Sequence, residues 1–118
     1  MALQFAPGDD LIFQLESGYG LLRVVAAEER DGEAVWHLSA YEELFPDVES
    51  AEAALSDSSL LTPRATHLAL TDRALAKTPA ARLGNRPVRE EELAPLREWR
   101  ERGGVAEERS ALLLLGLR

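Results

Sequence analysis

The fold turns on one stretch: Asp10-Leu11-Ile12-Phe13-Gln14-Leu15-Glu16-Ser17-Gly18-Tyr19-Gly20-Leu21-Leu22-Arg23-Val24-Val25-Ala26-Ala27-Glu28. From Asp10 to Glu16 the pattern alternates. Leu11, Phe13 and Leu15 fall on one side, Ile12, Gln14 and Glu16 on the other. A period of two predicts a strand with one buried face. Ser17-Gly18-Tyr19-Gly20 supplies two glycines for a tight connection. Leu21 to Glu28 then reads as a second strand, with Val24 and Val25 favouring extended backbone.

Working outward, Pro7-Gly8-Asp9 is a turn signal ahead of the first strand. On the other side, Arg30-Asp31-Gly32-Glu33 holds Asp-Gly, the strongest short hairpin signal. Ala34 to Tyr41 gives a third strand, so the first forty residues predict an antiparallel meander. Val48, Ala51 and Leu55 then recur at helical spacing, with Asp47 placed to cap the first turn. Thr66 to Thr71 predicts a fourth strand and Ala80 to Leu83 a short fifth. Asp72 to Thr78 fits either strand or helix. Pro95 cannot sit inside a helix, so a turn at Glu90 to Leu93 is expected, followed by a helix starting near Pro95 and stopped by Gly103-Gly104. The tail Ser110 to Arg118 fits a last strand or a short helix, and the strand is preferred. The whole predicts one α+β domain over residues 1–118. Its sheet, or small barrel, is bent, mostly antiparallel and five- to six-stranded, with two short helices. Phe13, Val24, Trp36, Leu38, Leu68, Leu96 and Trp99 are the expected core.

Composition narrows the functional classes. The 118 residues carry 13 basic and 21 acidic side chains, a formal charge of −8. That argues against unspecific binding to nucleic acid, which requires phosphate neutralisation, and against an anionic membrane surface. The charge is uneven: residues 1–63 hold 13 acids and two bases, and residues 64–118 hold 11 bases and eight acids. There is no cysteine, which removes thiol catalysis and Cys-ligated metals. The longest apolar run, Ala111 to Leu115, is far short of the roughly 20 residues that span a bilayer. The first residues lack a basic flank and apolar stretch of the signal-peptide kind, so a cytoplasmic location is expected.

Several elements together resemble the Imm26-like family of bacterial immunity proteins. They are Pro7-Gly8-Asp9 leading into a strand, Gly18-Tyr19-Gly20-Leu21-Leu22-Arg23-Val24, Tyr41-Glu42-Glu43-Leu44-Phe45 after a strand, Leu83-Gly84-Asn85-Arg86-Pro87, and the acidic turn before Pro95. The resemblance covers roughly residues 5–100. It implies a small, strongly bent β-barrel with one or two helices and a non-enzymatic role in binding another protein, a toxin. The chain carries Ala80 and Ala81 where that pattern more typically has an aromatic.

The residues name no reaction. His37 and His67 are the only histidines, and neither lies in an HxxxH or HExxH arrangement, so they read as structural and no metal or cofactor is expected. No serine occupies a nucleophile elbow. Gly18-Tyr19-Gly20 lies between strands, whereas a phosphate cradle needs a following helix N-terminus. The acids Glu42, Glu43, Asp47, Glu49 and Glu52 form a docking patch for a basic protein partner, and Tyr19 in its turn is an aromatic recognition contact. A tail strand would bury alternate leucines and expose the others, so Leu113 and Leu115 are expected to contribute to a homodimer. The preferred function is therefore a non-catalytic interaction module of the immunity-protein type. The competing classes are a small ligand-binding or enzymatic barrel with a dispersed site, and a structural homodimer.

Overall fold

The computed structural model describes residues 4–117. Five strands run β1 (Asp9–Leu15), β2 (Gly18–Arg30), β3 (Glu33–Tyr41), β4 (Pro63–Thr71) and β5 (Ala80–Asn85). They form one sheet in the order β4-β3-β2-β1-β5, with every neighbouring pair antiparallel. The expected meander is its centre. The sheet does not close, so the barrel alternative is set aside.

The β2–β3 hairpin has Arg30 opposite Glu33, leaving Asp31-Gly32 as the loop. Both loop residues have positive φ, 52° and 78°, the conformation that matches the twist of the flanking strands. The first hairpin departs from expectation. Leu15 pairs with Gly18, so Glu16-Ser17 is the loop, and Gly18, Tyr19 and Gly20 lie inside β2. The two glycines are there for close approach. A Cβ on Gly18 would lie 2.6 Å from the Phe45 carbonyl oxygen, and one on Gly20 would lie 2.4 Å from the Phe13 ring.

The two faces of the sheet differ in chemistry. One carries Leu11, Phe13, Leu22, Val24, Trp36, Leu38 and Leu70, the main apolar core. It is closed by α2 (Asp72–Ala76) through Ala74 and Leu75, and by α4 (Ala111–Leu115) through Ala111 and Leu115. Trp36 is fully buried there and its indole N–H donates to the Asp72 carboxylate (2.9 Å). The opposite face has a smaller apolar cluster of Ile12, Leu21 and Ala51, the last from α1 (Val48–Leu55). The rest of that face is polar yet buried: Asp10, Arg23 and His37. It is roofed by a 3-10 turn (Glu90–Leu93) and by α3 (Ala94–Glu101). Strand β1 is thus buried on both faces, not one.

Asp47 caps α1 as expected, accepting from the Ser50 N–H (2.7 Å). Pro95 sits in the first turn of α3, where its missing N–H costs nothing. The ambiguous Asp72–Thr78 segment contributes α2, capped by the Thr71 hydroxyl. No described helix is long and apolar enough to cross a membrane.

The tail corrects the expectation of a strand. Ser110 accepts from the Leu113 N–H, Gly116 takes φ 68°, and Leu117 N–H reaches back to the Leu112 carbonyl (2.9 Å). These are the two ends of a capped helix. Arg64 adds two bonds to the Leu115 carbonyl (3.1 and 2.7 Å). Helical spacing puts Ala111 and Leu115 on the same side and sends only Leu113 into solvent. Leu115 is consequently a core residue of its own chain, and the alternating pattern from which a dimer face was expected is absent.

Of the expected core, Phe13, Val24, Trp36, Leu38 and Leu96 are buried, whereas Leu68 and Trp99 are half-buried. Trp99 lies on the polar face. Trp36→Ala should therefore lower the unfolding free energy by about 3–5 kcal/mol, and Trp99→Ala by only about 1–2 kcal/mol. Leu113→Ser should change it by less than about 0.5 kcal/mol. Urea titrations of the three variants check this order.

Candidate functional site

A charged residue within an apolar central strand has to find partners or not be there. Arg23, in Leu21-Leu22-Arg23-Val24-Val25, is 1% exposed. Its Nε donates to Glu92 Oε1 (2.8 Å) and its Nη1 to the Gly8 carbonyl (3.0 Å) and Asp10 Oδ1 (3.3 Å). Its Nη2 donates to the Arg86 and Pro87 carbonyls (3.1 and 3.2 Å) and to Glu92 Oε2 (3.1 Å). One guanidinium thus ties β1, β2, the strand exit after β5 and the 3-10 turn before α3.

Asp10 is shared. Arg86 grips it from Nε (2.6 Å) and Nη2 (2.7 Å), and also reaches the Ser58 hydroxyl and Tyr41 OH. Two guanidiniums and two carboxylates make this cluster neutral. The hydrogen bonds that Arg86 donates to the Asp10 carboxylate raise the guanidinium's pKa further above its usual range. For Glu92, the upward push of burial is outweighed by the hydrogen bonds from Arg23 and the Arg89 N–H, which hold it below the usual carboxylate range. Asp9, alongside, is buried too. Burial raises it, but Asn85, the Ala6 N–H and Arg82 together bring it below its ordinary value.

Further along the same face lie the histidines. They are not isolated, as the sequence spacing implied, but cross-strand neighbours on β3 and β4. His37 Nδ1 is 2.9 Å from His67 Nε2, and His37 Nε2 is 2.8 Å from Glu28 Oε1. Trp99 covers both rings, with centroid separations of 5.0 and 5.5 Å, and carries the Arg30 guanidinium at 4.9 Å from its own centroid. Among the described residues there is no group of three or more His, Asp or Glu side chains set to hold a metal ion.

Between the two polar clusters a cleft of about 380 Å³ opens to solvent. Val25 and Ser39 lie on its sheet side, Tyr41 and Ser59 at one end, and Arg89 and Pro95 opposite. Its charged groups are already engaged: Arg89 lies 3.4 Å from Glu91, and Glu92 is held by Arg23.

None of the sequence-derived docking residues lines this cleft, though Glu42 and Glu43 directly follow its Tyr41, and they do not all have the same role. Glu42, Glu49 and Glu52 are exposed. Glu43 accepts the Thr62 N–H through both oxygens (2.8 and 3.0 Å). Those bonds outweigh its desolvation and lower its pKa. Asp47 is the cap of α1, and the Ser50 bond lowers its pKa. Tyr19 is no loop tip: it exchanges two backbone bonds with Phe45 (both 2.8 Å) and packs half-buried against the small apolar cluster. Leu113 is exposed and Leu115 buried. The sequence carried one overlooked signal, an arginine inside an apolar central strand beside a strand that opens on two aspartates.

Comparison with protein-family models, with characterised proteins and with solved structures finds no match to this chain.

The Arg23 cluster generates a direct prediction. Arg23→Ala takes every side-chain donor from Glu92, one of three from Asp10 and the Arg23 bonds from three carbonyls, and should cost about 3–5 kcal/mol. Arg23→Lys should recover little of it, because an ammonium cannot fork across acceptors on three segments. Guanidinium titrations at pH 7 provide the comparison.

Proposed function

We propose that the protein is a non-catalytic binding module whose docking surface is the acidic edge beside the cleft, taking a basic protein partner. One observation carries this reading. From Asp31 to Pro63 the chain has eight acids and no base, and the segment after β3 presents Glu42, Glu49, Glu52 and Asp57 to solvent together with Leu44 and Leu60. Exposed leucines within an acidic segment supply apolar contact together with charge selection. The cleft supports the same reading. It is open, and the charged groups at its wall are paired with one another instead of converging on an empty centre. A partner of the toxin kind, as the immunity-protein resemblance implies, is one such basic protein.

The test compares two baits in affinity capture with quantitative mass spectrometry: the parent chain and a Glu49→Lys/Glu52→Lys/Leu60→Asp variant. None of the three side chains makes a hydrogen bond or ion pair among the described residues, so circular dichroism and melting should be unchanged. The expected result is a protein of basic isoelectric point captured by the parent and depleted at least about tenfold with the variant, its binding weakening as salt rises. Identical capture by both baits would remove the acidic edge as the docking surface.

A further inference from the structure

His37 and His67 constrain each other's protons. His37 Nε2 faces a carboxylate, so it carries the hydrogen and donates to Glu28 Oε1 (2.8 Å). In the neutral ring Nδ1 is then an acceptor, and His67 has to present its Nε2–H there (2.9 Å). The result is a directed chain, His67 to His37 to Glu28, with the two rings within 15° of one plane. Two protonated rings would face each other N–H to N–H, with no acceptor between them.

Their surroundings disfavour added positive charge. Among the described residues Glu28 on β2 is the one carboxylate bonded to the pair, and it is shared with Arg30 of the same strand (3.4 Å) and Arg100 of α3 (3.2 Å). Arg102, just beyond α3, adds its charge near His67. The Trp99 ring, which would otherwise welcome a cation, already holds Arg30. The C-terminal half of α3 rests on this assembly through Trp99 and Arg100, and Arg30 donates to the Gly104 carbonyl that follows (3.0 Å).

We propose that the His37–His67 pair is an acid-sensitive clasp: proton uptake by the pair puts buried positive charge beside Arg30, Arg100 and Arg102 and releases the Trp99 end of α3 from the sheet. Burial, joined by the charges of His37 and Arg102, pushes His67 down to about 4. Burial also lowers His37, with Arg100 and Arg30 adding to it, against the upward pull of Glu28. Once released, both rings return towards an ordinary value near 6.5. The released form therefore binds more protons, so the clasp is fully closed above pH 6.5 and weakens as pH falls towards 4. Asp9, Glu28 and Glu92, all held below the usual carboxylate range, lose their contribution only as pH falls below about 4.5, beneath most of this window. Because Pro95 and Glu92 wall the cleft, movement of α3 alters it. The clasp itself stands whatever the cleft binds.

The test is native-state hydrogen exchange by NMR on the free protein at pH 7.5 and pH 5.0, corrected for intrinsic exchange. It follows the α3 amides and the Trp99 indole N–H, with the Trp36 indole and the central β2 and β3 amides as controls. The opening equilibrium of α3 should rise by about tenfold to thirtyfold at the lower pH, the upper figure following from His67 alone before solvent screening. The controls should stay within about twofold. His67→Gln keeps an N–H for His37 but gains no charge, and it should cut the rise below about threefold. If that variant fails to fold, the Cε1–H titrations of the parent decide instead, His67 falling towards about 4 and His37 falling below its ordinary value. An α3 opening unchanged at pH 5.0, the same rise in His67→Gln, loss of all amides in step, or a ring titrating near 6.5 would each overturn the clasp.

Discussion

A guanidinium with almost no contact with water has to be met by acceptors on every side, and the polar face of this sheet is arranged around that demand. Arg23 finds them on three segments far apart in sequence: Gly8 and Asp10, Arg86 and Pro87, and Glu92. Removing water from charges is costly enough that such a cluster adds little net stability over a well-packed apolar one. Its effect is on specificity. Only one register of β1 on β2, with Asp10 opposite Arg23, and one course for residues 86–92 satisfies all the groups. The apolar face would tolerate other arrangements of leucine and valine; this face would not.

The division of labour between the faces explains where function is sought. The face holding Trp36 is covered by α2 and α4. The other is roofed only in part, and the roof rests on polar supports, Glu92 on Arg23 at one end and Trp99 on the histidines at the other. The cleft opens between them. Ser58, Ser59 and Leu61 of the β3–β4 connection line it, next to Tyr41, and Arg86 ties Ser58 and Tyr41 into the buried cluster. The fold-determining charges and the cleft are therefore physically continuous.

Much of the fold was legible because it is written locally. The Asp31-Gly32 turn, the Asp47 cap and the Pro95 helix start each rest on one or two residues whose backbone preferences are strong. The buried cluster was not, because pairing is a matter of register. Placing the first turn at Ser17 to Gly20 sets Arg23 opposite Gln14, whereas the turn at Glu16-Ser17 sets it opposite Asp10. The partner moves by four residues, an even number that preserves which face each side chain takes, so most of the apolar core was legible while the ion pair stayed hidden. The glycines misled because Gly18 and Gly20 serve contacts with Phe45 and Phe13, not the turn. The tail misled for another reason. Five apolar residues carry no clear period, and its helical caps, Ser110 and Gly116, were outweighed by the leucines between them. His37 and His67, thirty residues apart, meet only through pairing of β3 with β4. Of the docking acids, Glu43 and Asp47 proved to be engaged with backbone N–H groups, which composition cannot distinguish from free charge.

The central claim is that Arg23 is a fixed, fully bonded guanidinium at the junction of β1, β2 and the segment leading to α3. Arginine-detected nitrogen-15 NMR at neutral pH reads this directly. The account predicts one guanidinium whose Nη groups give separate, slowly rotating resonances, whose Nε–H exchanges slowly with water, and whose nitrogens couple across hydrogen bonds to the Glu92 carboxylate carbon. A single averaged Nη resonance for Arg23, exchanging as fast as that of a surface arginine such as Arg97, would contradict it.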